Sequence, residues 1–587
     1  MMLPSRASGS PPDPGDTVPA RPSILTIAVE DYYHASAFRS LITTQHWHRF
    51  EPRIECNTHR TLDLLDEYGV KATFFVLGWV ADEMPQVLRE IVRRGHEVAS
   101  KGYFHRTIQE MNQAEFRQDL RRSLVAIEQA SGSRVLGYRV ARGHLGLRDL
   151  WALDVIAEEG LEYDSSFYPR GRSVAAQPWR RFPFKHRHAG AELVELPLST
   201  WDVNGWHVPI AGGAYLRHIP HRVMHRIISS RMRESDAPLV MYFHVWELDQ
   251  ALPKITAAPG HTQMRQYRNL KKMDWRLRYY LKRYPFESVR DHLQLRAEPA
   301  KEQTRQAVSA HSNAGAAVSA QPILPIQAPG GIRVPVTLVM PCFNEEQVLP
   351  YLANTLKRLA SDFAALYELR FVFVDDGSSD ATWPALQRIF GGQPHFRLVR
   401  HERNRGVAAA ILTGVRHAET EIVCSIDCDC TYDPTQIGGL IPLLTEDVAV
   451  VTASPYHPQG EVKNVPAWRL LLSKGLSFMY GCLFKQQLHT YTSCFRAYRR
   501  SRVVDIELRE SGFLGVAELL VLLDQRGERI VEFPAVLEVR LLGHSKMKLL
   551  RTIGGHLGLL RRMLATRWRS SRSAMPVRPV QPKNAPR

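Results

Sequence analysis

The sequence predicts two α/β domains, each a parallel sheet with helical crossovers, and three observations predict it. Apolar, β-rich runs alternate with amphipathic helical runs in both halves of the 587-residue chain, as in parallel strands joined by helices. Polar residues cluster where those strands end, which is where α/β folds place ligands. Between the halves, "EPAKEQTRQAVSAHSNAGAAVSAQPILPIQAPGG" is rich in Ala, Gln, Ser and Pro and lacks a strong apolar period, so it reads as a linker. The predicted organisation is a disordered lead (1–21), a first domain (22–297), the linker (298–332), a second domain (333–547), a basic amphipathic helix (548–564) and a disordered basic tail (565–587).

The elements follow in order. In the first domain "SILTIAV" and "KATFFVLG" are short strands, separated by the helical "THRTLDLLDEYG" that ends at Gly69. "MPQVLREIVRRG" and "AEFRQDLRRSLVAIEQASG" are amphipathic helices, each stopped by glycine. In the second domain "PVTLVMPCFN", "LRFVFVDDGS" and "EIVCSIDCD" are apolar strands with polar ends, spaced by helices such as "EEQVLPYLANTLKRLASDF".

Composition narrows the function classes. A hydrophobic share of 44% is enough for two cores. Seven cysteines without paired zinc-type spacing point to a reducing compartment, with Cys424, Cys428 and Cys430 read as small strand residues rather than thiolate ligands. The N-terminus has no apolar core of signal-peptide length, and no run of about 18 apolar residues predicts a membrane-spanning helix. The net charge of +17 is uneven, with eleven Lys/Arg and no acid from Leu541 to Arg587. Such a tail suits anionic lipid or nucleic acid. The chain offers no aromatic platform or basic stripe to go with it, so no nucleic-acid partner is expected. "KLLRTIGGHLGLLRRML" spaces leucines at helical intervals among arginines. That pattern fits a helix on a membrane surface, or equally one packed against its own domain.

The second domain carries two acidic strand ends. In "VDDGSSDAT", Asp375 or Asp376 can accept hydrogen bonds from a base or ribose. In "SIDCDC", alternate residues of an extended chain point the same way, so Asp427 and Asp429 can share one hard cation that bridges a diphosphate. With "MPCFNEE", "NRGVAAAILTGV", "DCDCTYDP", "YTSCFRAYRR" and "GHSKMK" in order, the stretch of about 333–550 resembles family 2 glycosyltransferases, in the branch of dolichol- and polyprenyl-phosphate sugar transferases. The resemblance implies a glycosyltransferase A fold for nucleotide-diphospho-sugars, and inverting sugar transfer with Mg2+ or Mn2+. It places Pro341, Asn344 and Glu345 in the donor site, Asp375 and Asp376 on the nucleotide, and Asp427 and Asp429 on the metal. It puts Arg496 against the donor phosphates and Arg540, Ser545 and Lys546 against donor or acceptor phosphate. Glu518 stands either as the general base or as an acid packed at a helix N-terminus. Two departures stand out: Cys430-Thr431 replaces the Leu-Gln common after the Asp-x-Asp, and no membrane helices follow the catalytic domain.

In the first domain "LTIAVEDYYHASAF", "KATFFVLGWVA", "GHEVASKGYFHR", "LGYRVARG", "YDSSFYP" and "YFHVWELD" resemble a polysaccharide deacetylase of the NodB type, in the exopolysaccharide-locus subgroup. This implies a distorted (β/α) barrel and a metal held by one Asp and two His. On that pattern Asp31 is the ligand acid and His105 the second histidine. Lys101 takes the place of the first histidine and Ala28 that of the general base. Arg139, which would orient the base, and His244, the candidate acid, remain. A protonated lysine has no lone pair to give a metal and alanine takes no proton, so no metal and no hydrolysis are expected, with Lys101 paired to Asp31. Trp201, Trp206 and Trp246 either stack on sugars or belong to the core.

The expected protein therefore moves a sugar from a nucleotide-diphosphate donor to a polyprenyl phosphate or glycan acceptor, peripherally at the cytoplasmic face of the membrane. Two rival readings are a bifunctional deacetylase and transferase, and a non-catalytic glycan-binding assembly protein. Intact Asp pairs in the second domain argue against the latter.

Overall fold

The structure is a computed structural model that describes residues 22–300, 333–465, 467–510, 512–543 and 554–564. The lead, most of the linker, Ser545, Lys546, the start of the basic helix and the tail lie outside the described residues. The chain divides into two compact units, one containing Pro52–Pro253 and the other most of the second domain.

The first unit is built on strands β1 (Ser23–Val29), β2 (Thr73–Val76), β3 (Glu97–Ser100), β4 (Gly137–Tyr138), β5 (Tyr163–Asp164), β6 (Phe184–His188), β7 (Ala191–Glu195), β8 (Thr200–Val203), β9 (Trp206–Pro209), β10 (Val240–His244) and β11 (Phe286–Glu287). Nine of them form one sheet in the order β10-β1-β2-β3-β4-β5-β7-β6, with β11 also on β1, and β8 and β9 make a separate hairpin. All pairs run parallel except β6 with β7. All seven residues of β1 are buried, as in a strand covered on both faces. The helices between strands are cut as expected: Gln113–Ser131 begins at an Asn112 capping box and stops at Gly132, whose φ of 72° is left-handed. This is the distorted (β/α) barrel, open between β6 and β10.

The second unit holds β12 (Val334–Cys342), β13 (Tyr367–Asp375), β14 (Phe396–Arg400), β15 (Ile422–Ser425), β16 (Val448–Ser454), β17 (Glu461–Val462), β18 (Arg496–Arg499), β19 (Arg529–Pro534) and β20 (Val536–Leu537). Seven form a sheet in the order β14-β13-β12-β15-β18-β16-β19. Only β18 is antiparallel to its neighbours. This is the mixed sheet of a glycosyltransferase A fold. The parallel core brings the C-terminal ends of β12, β13 and β15 side by side, which gathers the three acidic loops at one edge.

Residues 554–564 are helical and pack on their own unit. Leu559, Leu560 and Met563 join its core, and His556 Nδ1 lies 2.8 Å from the Tyr480 hydroxyl. Among the described residues no helix is long and apolar enough to cross a membrane.

Candidate active sites

In the first unit the degenerate site lies where β1, β3 and β10 end. The alternation of β1, extended one step, sets Thr26, Ala28 and Glu30 on one face. Ala28 is buried and stands opposite His244 of β10 and Phe75 of β2. Lys101 follows β3, and its ammonium contacts the Glu30 carboxylate while also donating to the Ala141 carbonyl at 2.9 Å. His105 Nε2 lies 3.1 Å from the same Glu30 oxygen, and His244 Nε2 lies 3.6 Å from the other. Lys101 thus pairs with Glu30, which corrects the expected pairing with Asp31. The side chain of Asp31 is instead an acceptor for the backbone amides of Tyr32, Arg53 and Ile54, at 2.9, 2.6 and 3.2 Å. It caps local turns and takes no part in the cluster.

The electrostatics follow this geometry. Burial works to raise Glu30, but Lys101, then His105 and His244, outweigh it and hold the carboxyl well below its usual range. Burial pushes Asp31 up to about 7, against its three amide bonds and the nearby charge of Arg53. Arg139 spends its donors on Thr26 Oγ1 (2.7 Å) and on the carbonyl (2.9 Å) and hydroxyl (2.7 Å) of Ser165. It ties strands together and orients no base. His244 is held by Glu247, whose Oε2 accepts its backbone amide at 2.9 Å, and Glu247 in turn accepts Arg217 Nε at 2.8 Å. His105 has a φ of 46°, unusual for a residue with a Cβ, and the strain sits at the site. Glu30 and Glu247 were missed by the sequence reading; the period-2 alternation of β1 was the signal for Glu30. Of the three tryptophans, Trp246 is core, Trp201 is half-buried and Trp206 is exposed.

In the second unit three loops meet. After β12, Asn344 adopts φ 55° and its Oδ1 accepts the amides of Ser379 (2.7 Å) and Asp380 (3.3 Å). The Asn344 and Glu345 amides donate back to Ser378 Oγ at 2.9 Å and Thr382 Oγ1 at 2.7 Å. Gly377 has φ 69°, and a Cβ there would meet the Arg403 backbone at 2.5 Å, so glycine is required where the loops cross.

The acids divide into two kinds. Asp376 takes His401 Nδ1 (2.7 Å) and the Arg405 amide (2.8 Å) on one oxygen, and Asn404 Nδ2 (3.0 Å) and the Gly406 amide (2.7 Å) on the other. A carboxylate has about four lone-pair positions, so Asp376 is filled by the protein. It is a loop-holding residue rather than the expected nucleotide contact. Asp375 is buried, accepts the Ser378 amide at 3.1 Å, and has Arg400 Nε 3.0 Å from Oδ2.

Asp427, Asp429 and Glu345 form the second kind. Burial, then Asp429 and Glu345, push Asp427 up to about 7. The Arg540 guanidinium contacts Glu345 and lies 3.4 Å from Asp429 Oδ2. Three carboxylates against one cation leave an excess of negative charge, and hard oxygens of this kind suit Mg2+ or Mn2+. Among the described residues no three acidic, histidine or cysteine side chains close round an ion. Magnesium is usually bound by one or two carboxylates with substrate phosphates completing the shell, and Asp427 with Asp429 meet that requirement.

Two expected site residues are placed elsewhere. Arg496 is fully buried, and donates to the carbonyls of Val516 (2.8 Å) and Tyr491 (2.9 Å). Its guanidinium holds the core of the unit. Glu518, in the helix Gly512–Arg526, is buried with Oε2 accepting the amides of Arg509 and Glu510 at 3.0 and 2.8 Å. Glu518 thus lies within the helix rather than at its start, and its carboxylate anchors the segment that leads into it.

Comparison with known proteins agrees with both halves. Residues 337–506 match Glycosyl transferase family 2, residues 47–162 match Polysaccharide deacetylase, and residues 165–294 match a domain of unknown function, DUF3473. A dolichol-phosphate mannosyltransferase of Pyrococcus furiosus is 28% identical over 36% of this chain, which spans 59% of that relative's length. A polyprenol monophosphomannose synthase of Mycolicibacterium smegmatis is 28% identical over 36% of this chain and 80% of its own. A solved glucosyl-3-phosphoglycerate synthase of Mycobacterium tuberculosis, in complex with Mn2+, UDP and glucosyl-3-phosphoglycerate, is 20% identical over 40% of this chain and 80% of that one, with a TM-score of 0.29. The chain joins a polysaccharide deacetylase-like domain to a family 2 glycosyltransferase domain.

Proposed function

We propose that this fusion is an inverting hexosyltransferase that moves a sugar from a nucleotide diphosphate to a polyprenyl phosphate, with a first domain that no longer hydrolyses. The observation that carries the reading is the meeting of Asp427, Asp429, Glu345 and Arg540 at the parallel strand ends. Asp427 and Asp429 would hold Mg2+ or Mn2+, which when bound neutralises charge on the leaving diphosphate. Arg540 offers the same phosphates a forked cation. The cross-bonded loops of Asn344 and Asp376 keep the strand ends in register, so the donor meets a rigid cleft. Relatives named for dolichol and polyprenol acceptors support a lipid phosphate acceptor.

A peripheral place at the cytoplasmic face of the membrane is part of the proposal. The helix Ala467–Gly481 supports it: Leu471 and Phe478 are each 75% exposed, with Leu472 and Met479 also exposed and Lys474 among them. Beside it a cavity of about 440 Å³ is lined by Tyr456, Lys474, Ser477, Phe478 and His489. In the first domain the Lys101–Glu30 pair supports loss of hydrolysis, because the ammonium standing where the first histidine is expected has no lone pair for a metal and engages the carboxylate beside His105.

The test is a donor screen. The full chain is incubated with Mg2+ or Mn2+, a panel of UDP- and GDP-sugars, and polyprenyl phosphate in detergent. Lipid-linked sugar that disappears in Asp427→Ala/Asp429→Ala is the expected result. No product with any donor would overturn the reading.

A further inference from the structure

Cys342 is the last residue of β12, and Cys428 stands between Asp427 and Asp429. Their sulfurs are 2.8 Å apart. That is closer than the ~3.5–4.0 Å of ordinary non-bonded contact, and no disulfide joins them. Both side chains are buried, at 1% and 3% exposure. The pair is local to the strand ends. Cys428 Sγ lies 2.9 Å from the Pro341 carbonyl, the Asp376 amide donates to the Cys342 carbonyl at 2.8 Å, and the Ile426 amide donates to Val339 at 3.0 Å. One sulfur therefore sits on the strand that leads to Asn344 and Glu345, and the other within the Asp-x-Asp.

We propose that Cys342 and Cys428 are an oxidative modification site that closes to a disulfide and switches off the transferase domain. The oxidant is a peroxide. One thiol loses its proton and attacks a peroxide oxygen, the O–O bond breaks, and a sulfenic acid and water form. The second sulfur then displaces the hydroxyl as a further water, so that two thiols and one hydrogen peroxide give one disulfide and two waters. Closing 2.8 Å to the ~2.05 Å of a disulfide draws the sulfurs together by about 0.8 Å. Cys428 is bonded to both Asp427 and Asp429, so the movement is passed to the two carboxylates. The effect on turnover rests on the glycosyltransferase reading; formation of the bond does not.

The test treats the full chain with hydrogen peroxide, then digests it without reduction for peptide mass mapping. The expected result is a Cys342–Cys428 cross-linked peptide, lighter than the two thiol peptides by two hydrogens and cleaved by dithiothreitol. Sugar transfer should fall with cross-linking by about 10²-fold, the scale of a misplacement of about 1 Å, and recover on reduction. Cys342→Ala should keep basal transfer and lose the sensitivity. Unlinked peptides in the oxidised wild-type chain would overturn the proposal whether or not the variant folds or a donor is known. So would a Cys342→Ala chain as sensitive as the wild type.

Discussion

Lys101 and Glu30 form a buried ion pair just beyond the end of β1. The two exposures are 4% and 2%, so each charge depends on the other. Removing one partner of a buried pair typically costs about 3–5 kcal/mol, whereas removing both charges is often close to neutral. Lys101→Met should therefore lower the stability of the first unit by several kcal/mol in urea unfolding, and Glu30→Gln/Lys101→Met should recover most of it. Additive losses in the double variant would refute the pairing. The residue types at this site were legible in the sequence, and the partner was not. Asp31 adjoins Glu30 in the chain, and only the end of β1 decides which of them faces Lys101. The same holds for Asp376, whose four donors come from residues 401–406, and for Arg496, whose acceptors lie at 491 and 516.

Among the described elements, the apolar helix Ala467–Gly481 leaves several large apolar side chains exposed. Tyr480 packs inward on Tyr491 and His556, while Leu471 and Phe478 face outward. Leu471→Ser/Phe478→Ser should reduce co-flotation with anionic vesicles by about 10²-fold or more, each lost apolar side chain being worth about 1.5–3 kcal/mol when fully buried, and leave thermal stability near the wild type. Unchanged flotation would remove this helix from the membrane reading. The basic helix that the sequence marked for this task turns Leu559, Leu560 and Met563 into its own core and keeps Leu557 and Leu564 exposed. Helical spacing of leucines is the same for a helix on a bilayer and a helix on a protein, so the pattern left both open.

At the scale of the whole molecule, stability against acid is carried in part by buried carboxylates. Burial works to raise Glu247, but Arg217, followed by His244, holds it at about 2. The sign follows from linkage. A carboxyl depressed in the folded state stabilises it above the unfolded value near 4.5, and that contribution is lost as pH falls from about 4.5 to about 2. It is on the order of 3 kcal/mol. Glu247→Gln should flatten the pH dependence of the urea midpoint across that window and lower stability at neutral pH, since Arg217 is left without its carboxylate. A variant with the wild-type acid profile would show that other groups carry it.

The sequence by itself determined the alternating strands and helices, the two domain families, the Asp-x-Asp, and a lysine and an alanine where a hydrolase needs a ligand and a base. These are local facts, held in period, spacing and residue type. Only the tertiary structure decided that Lys101 answers Glu30, that Asp376 is filled by its own loop, that Arg496 and Glu518 serve the backbone, and that Cys342 meets Cys428. Each of these depends on which atoms the parallel sheets bring together across tens of residues, and a side chain's role is set by the partner it reaches rather than by its motif.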